Sequence, residues 1–312
     1  MKHLAIITIL VFISQVAFSQ QAEEFYEKAK TKEKQKDFQY ASILIDKAIE
    51  LNDTNIWYWL KKAEIQLNME ESYLTIDYIK RAISIDSTNS EPYNRAGSYY
   101  NSRGLKDSSI YMYNKAIRFA ENDTIRYSYV MNRGTAKISV MDYKGALEDF
   151  KDVLNFKPND IGCLNNIGNV YKKLGETEKA IQTLKKVIIL DENLIGPYIN
   201  LGLIYTEIDS LDNAIEYFDK ALNISPDEPL LFSNRGFTYY KMGNYKLALK
   251  DINKSLKGYP TNSYAYKNLA LVYFKMDLIN EGCTALKYAE HYEYEKRYGD
   301  EVKSLIRQYC EN

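Results

Sequence analysis

The chain is 312 residues long, 46% apolar and 27% charged, which places it among folded chains rather than disordered ones. Its 41 basic and 42 acidic residues leave a net charge of −1. Nucleic acid is thereby disfavoured as a partner, because non-specific binding needs a surplus of Lys and Arg to neutralise phosphates.

The first predicted element is residues 1–19. Lys2 and His3 precede an apolar run from Leu4 to Ile13, and Ala17-Phe18-Ser19 puts small residues at −3 and −1 of a cut before Gln20. This is the layout of a secretory signal peptide. The run is too short to span a bilayer, which needs about 20 apolar residues. No cysteine follows the cut, so no lipid anchor is indicated. The expectation is an exported protein, in the periplasm or at the cell surface, with no transmembrane span in the mature chain.

From Ala22 the chain is periodic. In residues 195–228, Tyr198, Leu201, Gly202 and Tyr205 share one face of a first helix, and Ala214, Phe218 and Ala221 share one face of a second. Ser225-Pro226 then ends it, since proline lacks the amide a continuing helix needs. The pattern recurs 34 residues earlier and later, in segments 22–55, 56–89, 90–126, 127–160, 161–194, 195–228, 229–262 and 263–294. The eighth position is Ala29, Ala63, Gly97, Gly134, Gly168, Gly202, Gly236 or Ala270. The twentieth is Ala41, Thr75, Ser109, Ala146, Ala180, Ala214, Ala248 or Gly282. The twenty-seventh is small or Val throughout, from Ala48 to Ala289. Close helix packing demands small residues at such places.

This pattern resembles the tetratricopeptide repeat (TPR), whose period is 34 residues. The resemblance covers residues 22 to about 294. It implies an all-α fold: a right-handed α-solenoid of about eight helix-turn-helix repeats. The first repeat is polar where the family is usually apolar, with Lys28 and Lys32 on its first helix, as expected of a wet end face. The third repeat is three residues too long around Glu121–Thr124, which reads as a longer loop, or else as a change of pitch between a front and a back block. Residues 295–312 read as a C-terminal capping segment. Asp300 is placed as N-cap, and Val302, Leu305, Ile306 and Tyr309 follow at helical spacing to cover repeat eight.

Cys283 lies in the second helix of repeat eight and Cys310 ends the capping helix, so in an oxidising compartment the two are expected to form a disulfide. Cys163 reads as a small helical residue rather than a nucleophile, with no histidine in its own repeat to activate it.

In TPR proteins the first helices line a concave face, with positions two, five, nine, twelve and thirteen facing it and position six within reach. Position six is Lys61, Arg95, Asn132, Asn166, Asn200, Asn234 and Asn268 from repeat two onward. A primary amide offers one acceptor and two donors, which matches the C=O and N–H of an extended peptide. The column resembles the asparagine ladder of some peptide-binding TPR superhelices; the alternative is that each amide bonds a neighbouring backbone group. Further candidates are Asn165, Asn169, Lys172, Tyr240, Tyr264, Lys267, Leu271 and Phe274. The family's clamp for a C-terminal carboxylate is absent: Asn165 stands where lysine is wanted, and Leu230 and Asn234 stand where its two cations belong.

Catalysis is not expected. The only histidines are His3 and His291, and no phosphate loop, nucleophile elbow or spare catalytic domain is present. No cofactor or metal is indicated. The reading is a non-enzymatic scaffold for a protein or peptide segment on its concave face; the alternative is a structural subunit of a cell-envelope assembly that uses its convex face or its ends.

Overall fold

The computed structural model describes residues 2–69 and 73–311, with side chains from residue 18 onward. The signal-peptide segment, residues 1–19, therefore falls almost wholly outside the described side chains. Among the described residues the chain is all-helical, with no strand. It divides into two compact units, residues 1–158 and 159–312.

The first unit contains four hairpins. They are α1 (Lys2–Lys34) with α2 (Phe38–Leu51), α3 (Ile56–Asn68) with α4 (Thr75–Ile85), α5 (Ser90–Ser102) with α6 (Lys106–Arg118), and α7 (Asp123–Ser139) with α8 (Tyr143–Phe156). The second unit contains four more: α9 (Ile161–Lys173) with α10 (Thr177–Leu190), α11 (Ile195–Glu207) with α12 (Leu211–Ile224), α13 (Pro229–Lys241) with α14 (Tyr245–Gly258), and α15 (Ser263–Lys275) with α16 (Ile279–His291). It ends in α17 (Tyr294–Tyr298) and α18 (Glu301–Tyr309). Within each unit consecutive helices pack side by side, so each unit is an α-solenoid.

Local chemistry explains where the helices start and stop. Asn55, Asn122, Asp142, Asp160 and Asn262 each accept an amide hydrogen from the first turn of the helix they precede. First helices end on a left-handed residue: Lys36, Gly104, Met141, Gly175, Asp209, Gly243 and Asp277 all have φ of 61° to 76°. One residue later the amide reaches back to the carbonyl five residues earlier, as in Leu105 to Tyr100 and Ser210 to Tyr205, at 2.8 to 3.0 Å. This Schellman bond satisfies an otherwise orphaned carbonyl and turns the chain into the second helix.

The small columns are the contact surface between helices. At the twenty-seventh position Ala48, Ala82, Ala116, Val187, Ala221, Ser255 and Ala289 are all fully buried. The eighth-position glycines lie under a side chain of the second helix four residues beyond the small residue of the twentieth position. A Cβ on Gly168 would meet Leu184 at 2.7 Å, and one on Gly202 would meet Phe218 at 2.6 Å. The tyrosines Tyr100, Tyr171, Tyr205, Tyr239 and Tyr273 are half-buried framework residues.

Two expectations are corrected. The extra residues of repeat three do not lengthen a loop: Asn122 caps a helix that already starts at Asp123, so they become the first turn of α7. The C-terminal cap is two helices, not one. Asp300 precedes α18, but its carboxylate accepts no amide hydrogen and instead lies 3.6 Å from the Lys303 ammonium. Tyr294 and Val302 are buried in the core formed with α14, α15 and α16, and Leu305, Ile306 and Tyr309 pack against it. The Cys283 and Cys310 sulfurs are bonded, with Cα atoms 5.8 Å apart.

Candidate functional site

The first helices of the second unit, α9, α11, α13 and α15, each touch the next, so corresponding positions form columns. On this face Asn166, Asn200 and Asn234 are half-buried. Among the described residues the side-chain amides of Asn200 and Asn234 make no hydrogen bond to the rest of the chain. Both helices therefore present an amide whose donors and acceptor are open to a ligand. Nearby, the Asn165 side-chain oxygen is buried without a partner. Asn169 is half-buried on the same helix.

Charged residues tie adjacent helices together along this face. Lys172 of α9 meets Glu207 of α11 at 2.8 Å. Lys241 of α13 meets Asp209 at 2.9 Å and donates to the Thr206 carbonyl at 2.8 Å. Lys172, a groove candidate from the sequence, is thus already paired. Tyr240 belongs to an aromatic group with Phe237 at 5.9 Å and Tyr245 at 6.2 Å, and burial pushes its phenol pKa up. Leu230 stands exposed at the start of α13.

Repeat eight departs from expectation. Lys267 and Asn268 are 3% and 0% exposed, and Phe274 is also buried. The chain's own C-terminus packs on Tyr264, Lys267 and Phe274. Tyr298 lies 5.5 Å from the Tyr264 ring, Glu301 pairs with Lys267 at 3.4 Å, and the Tyr309 ring stacks on Phe274 at 4.2 Å. Burial lowers the Lys267 pKa, an effect that Glu301 opposes. Lys267, Asn268, Tyr264 and Phe274 are therefore not open to a ligand in this arrangement.

In the first unit the same face is chemically different. Lys61 bridges Glu33 and Glu64 at 2.8 Å each, and Arg95 reaches Glu64 at 3.3 Å and Glu91 at 2.9 Å. Burial alone would raise the Glu64 carboxyl pKa, but the Lys61 and Arg95 charges hold it below its ordinary value. Asn132 is exposed and donates to Asn94 at 3.1 Å. Position six is self-paired here, so Asn132 is not equivalent to Asn200 and Asn234.

Cys163 is buried, and burial pushes its thiol pKa up to about 12. A thiol held protonated at neutral pH is a poor nucleophile. Among the described residues no group of three or more His, Cys, Asp or Glu side chains could hold a metal ion. None of the described helices is long and apolar enough to cross a membrane.

Comparison with known proteins places this geometry. The TPR repeat model matches residues 168–209 and 202–243, and a second tetratricopeptide repeat model matches 231–262. Photosystem I assembly protein Ycf3 from Synechococcus sp. (strain CC9605) is 28% identical over 101 residues, which are 32% of this chain and 58% of that protein. The matched stretch thus spans less than two thirds of that relative. Among solved structures, a tetratricopeptide repeat protein from Parabacteroides merdae superposes with a TM-score of 0.60 at 17% identity, covering 92% of this chain and 99% of that one. A chain of the APC/C hetero-tetramer Cut9–Hcn1 superposes with a TM-score of 0.64 at 14% identity, covering 88% of this chain and 53% of that one. At these identities the likeness is one of fold: an α-solenoid of TPR hairpins.

Proposed function

We propose that the chain is a non-enzymatic scaffold that holds a peptide or protein segment along the concave, first-helix face of residues 159–312. One observation carries this reading. Asn200 and Asn234 occupy the same position on consecutive first helices, half-exposed, with amides unclaimed by the chain. A primary amide pairs with a backbone C=O and N–H together, so such rungs grip an extended segment whatever its side chains. TPR proteins generally mediate protein–protein interaction, and the relative from Synechococcus is by name an assembly protein, which is consistent with a scaffold.

The protein acts after export, in the periplasm or at the cell surface. The signal-like run before Gln20 and the bonded pair Cys283–Cys310 both suit an oxidising compartment.

The test is a crosslinking pull-down from the envelope fraction, with wild-type protein and the Asn166→Ala/Asn200→Ala/Asn234→Ala variant as baits. A partner captured by the wild type and lost with the variant, while circular dichroism stays helical, supports the reading. Equal capture by both baits overturns it and moves the contact to the convex face or the ends, as expected of an envelope-assembly subunit.

A further inference from the structure

Asn200 and Asn234 stand open, but the next rung, Asn268, is completely buried. Residues 294–310 of the same chain cover its neighbours Tyr264, Lys267 and Phe274, and the fit is incomplete. Neither polar atom of the Asn268 amide forms a well-made hydrogen bond, although the residue lies beside Tyr264. Ser263 Oγ and Glu295 Oε1 are also buried without partners. The cover supplies a tyrosine ring to Tyr264, a carboxylate to Lys267 and a second ring to Phe274. Lys267 is further held over the Phe237 ring at 5.0 Å and the Tyr264 ring at 4.8 Å. What the cover lacks is backbone C=O and N–H groups presented to the amide beneath it.

The cover is also a weak structure by itself. It consists of helices of five and nine residues, reached through left-handed residues at Glu293 and Gly299 and lacking side-chain N-caps. Helices this short are marginal without tertiary support. Beyond its apolar contacts, the covalent tie is Cys283–Cys310, which closes a separation of 27 residues. Both cysteines are only half-buried, so a small dithiol can reach them.

We propose that residues 294–310 are a displaceable internal occupant of the repeat-eight end of the binding face, latched by Cys283–Cys310, and that reduction opens this end to an acidic, tyrosine-bearing peptide segment. The proposal rests on the first-helix face being the binding surface. In the opening step one thiolate of a dithiol attacks Cys310 Sγ, and the S–S bond breaks as Cys283 leaves as a thiolate. The second thiol of the reductant then displaces Cys310. Two electrons pass from the dithiol, two of its protons end on Cys283 and Cys310, and the dithiol becomes its own disulfide. The incoming segment replaces Tyr298 and Glu301 with its own ring and carboxylate, and its backbone satisfies Asn268.

The test uses the full chain and a fluorescein-labelled peptide with the sequence of residues 294–309. In the oxidised protein, amide exchange across 294–309 is expected to be slow and the peptide is expected not to bind. Dithiothreitol treatment, or Cys310→Ser as an independent route, is expected to raise exchange there about tenfold or more and to allow peptide binding that Lys267→Met abolishes. Unchanged exchange after reduction overturns the latch. Faster exchange without peptide capture overturns the assignment of the occupant. Neither failure touches the Asn166, Asn200 and Asn234 experiment, which reads the open part of the face separately.

Discussion

Arg235 holds Asp251 in a two-point grip, Nε to Oδ2 at 2.7 Å and Nη2 to Oδ1 at 3.0 Å, while its remaining nitrogen reaches Asp219 at 2.6 Å. The same pairing at the same separation joins Arg133 to Asp149 in the other unit, at 2.9 and 2.7 Å. Each pair bolts the first helix of a hairpin to the second. Asp251 and Asp149 are both buried; Asp251 depends on Arg235 for compensation, whereas Asp149 is also paired with Lys137 at 3.0 Å. Arg235→Met leaves Asp251 buried without a bidentate partner and is expected to cost about 3–5 kcal/mol. The double variant Arg235→Met/Asp251→Leu should recover most of that loss, because no charge is left stranded. Urea midpoints of the two variants check this; equal losses would disprove it.

Gly202 and Gly162 are expected to respond to alanine with opposite signs. A Cβ on Gly202 collides with the Phe218 ring at 2.6 to 2.8 Å, whereas one on Gly162 meets only Asp160 Oδ1 at 3.5 Å. Gly202→Ala gains about 1 kcal/mol of helix propensity but incurs overpacking of about 1–3 kcal/mol, for a net loss. Gly162→Ala should be stabilising by about 0.5 kcal/mol through the unfolded chain. Thermal melts of both variants in one buffer decide the matter.

Met141 is 75% exposed and has φ of 62°, in the place where three other repeats carry Gly104, Gly175 and Gly243. A side chain in the left-handed region costs about 1–2 kcal/mol, and glycine's extra freedom in the unfolded chain returns part of that. Met141→Gly should therefore raise stability by about 0.5–1 kcal/mol. A lower denaturation midpoint would show that the methionine makes a contact worth more than the strain.

Alkaline pH should loosen both units. Burial raises the Tyr58 phenol pKa from 10.0 to about 12, and its hydrogen bond to Glu23 adds to the effect. Burial raises Tyr264 to about 12 as well, with Glu301, Tyr298 and Glu207 acting in the same direction and Asn268 against it. Each folded phenol keeps its proton where the unfolded one loses it. Their contribution is fully present below pH 10 and is lost as pH rises from about 10 through 12. Lys267, whose pKa is lowered, works the other way below its ordinary value of 10.5, because the unfolded lysine binds the proton more tightly. Melting temperatures should fall between pH 10 and 12, and Tyr58→Phe should flatten part of that fall.

Much of the fold was legible because its signals are local and repeated. Three small-residue columns announced the hairpins, and the glycine column marks where Leu184 and Phe218 must lie against a neighbouring backbone. The start of α7 had a readable sign in Asn122-Asp123, a capping residue followed by an acidic first turn, although its segment suggested a loop. The left-handed turns were harder to see at Lys36 and Met141, which are not residues that favour such backbone, than at Asp209 and Asp277, a residue type that adopts it more readily. There the Schellman bond prevails over residue preference.

The candidate site was legible only in part, and the reason is reach. A column of asparagines is visible in a sequence because one residue type recurs every 34 positions. Whether each amide is open depends on what packs across it, and that is set by residues outside its own repeat. Asn132 is engaged by Asn94, 38 residues away, Asn200 and Asn234 are not engaged, and Asn268 is completely buried beside Lys267, which the C-terminal Glu301 holds. Sequence alone determined that the chain folds as stacked helical hairpins, because helix periodicity and nearest-neighbour packing are properties of short segments. Tertiary structure decided which rungs remain exposed, because solvent exposure is a sum over every segment that passes nearby, however distant in the chain.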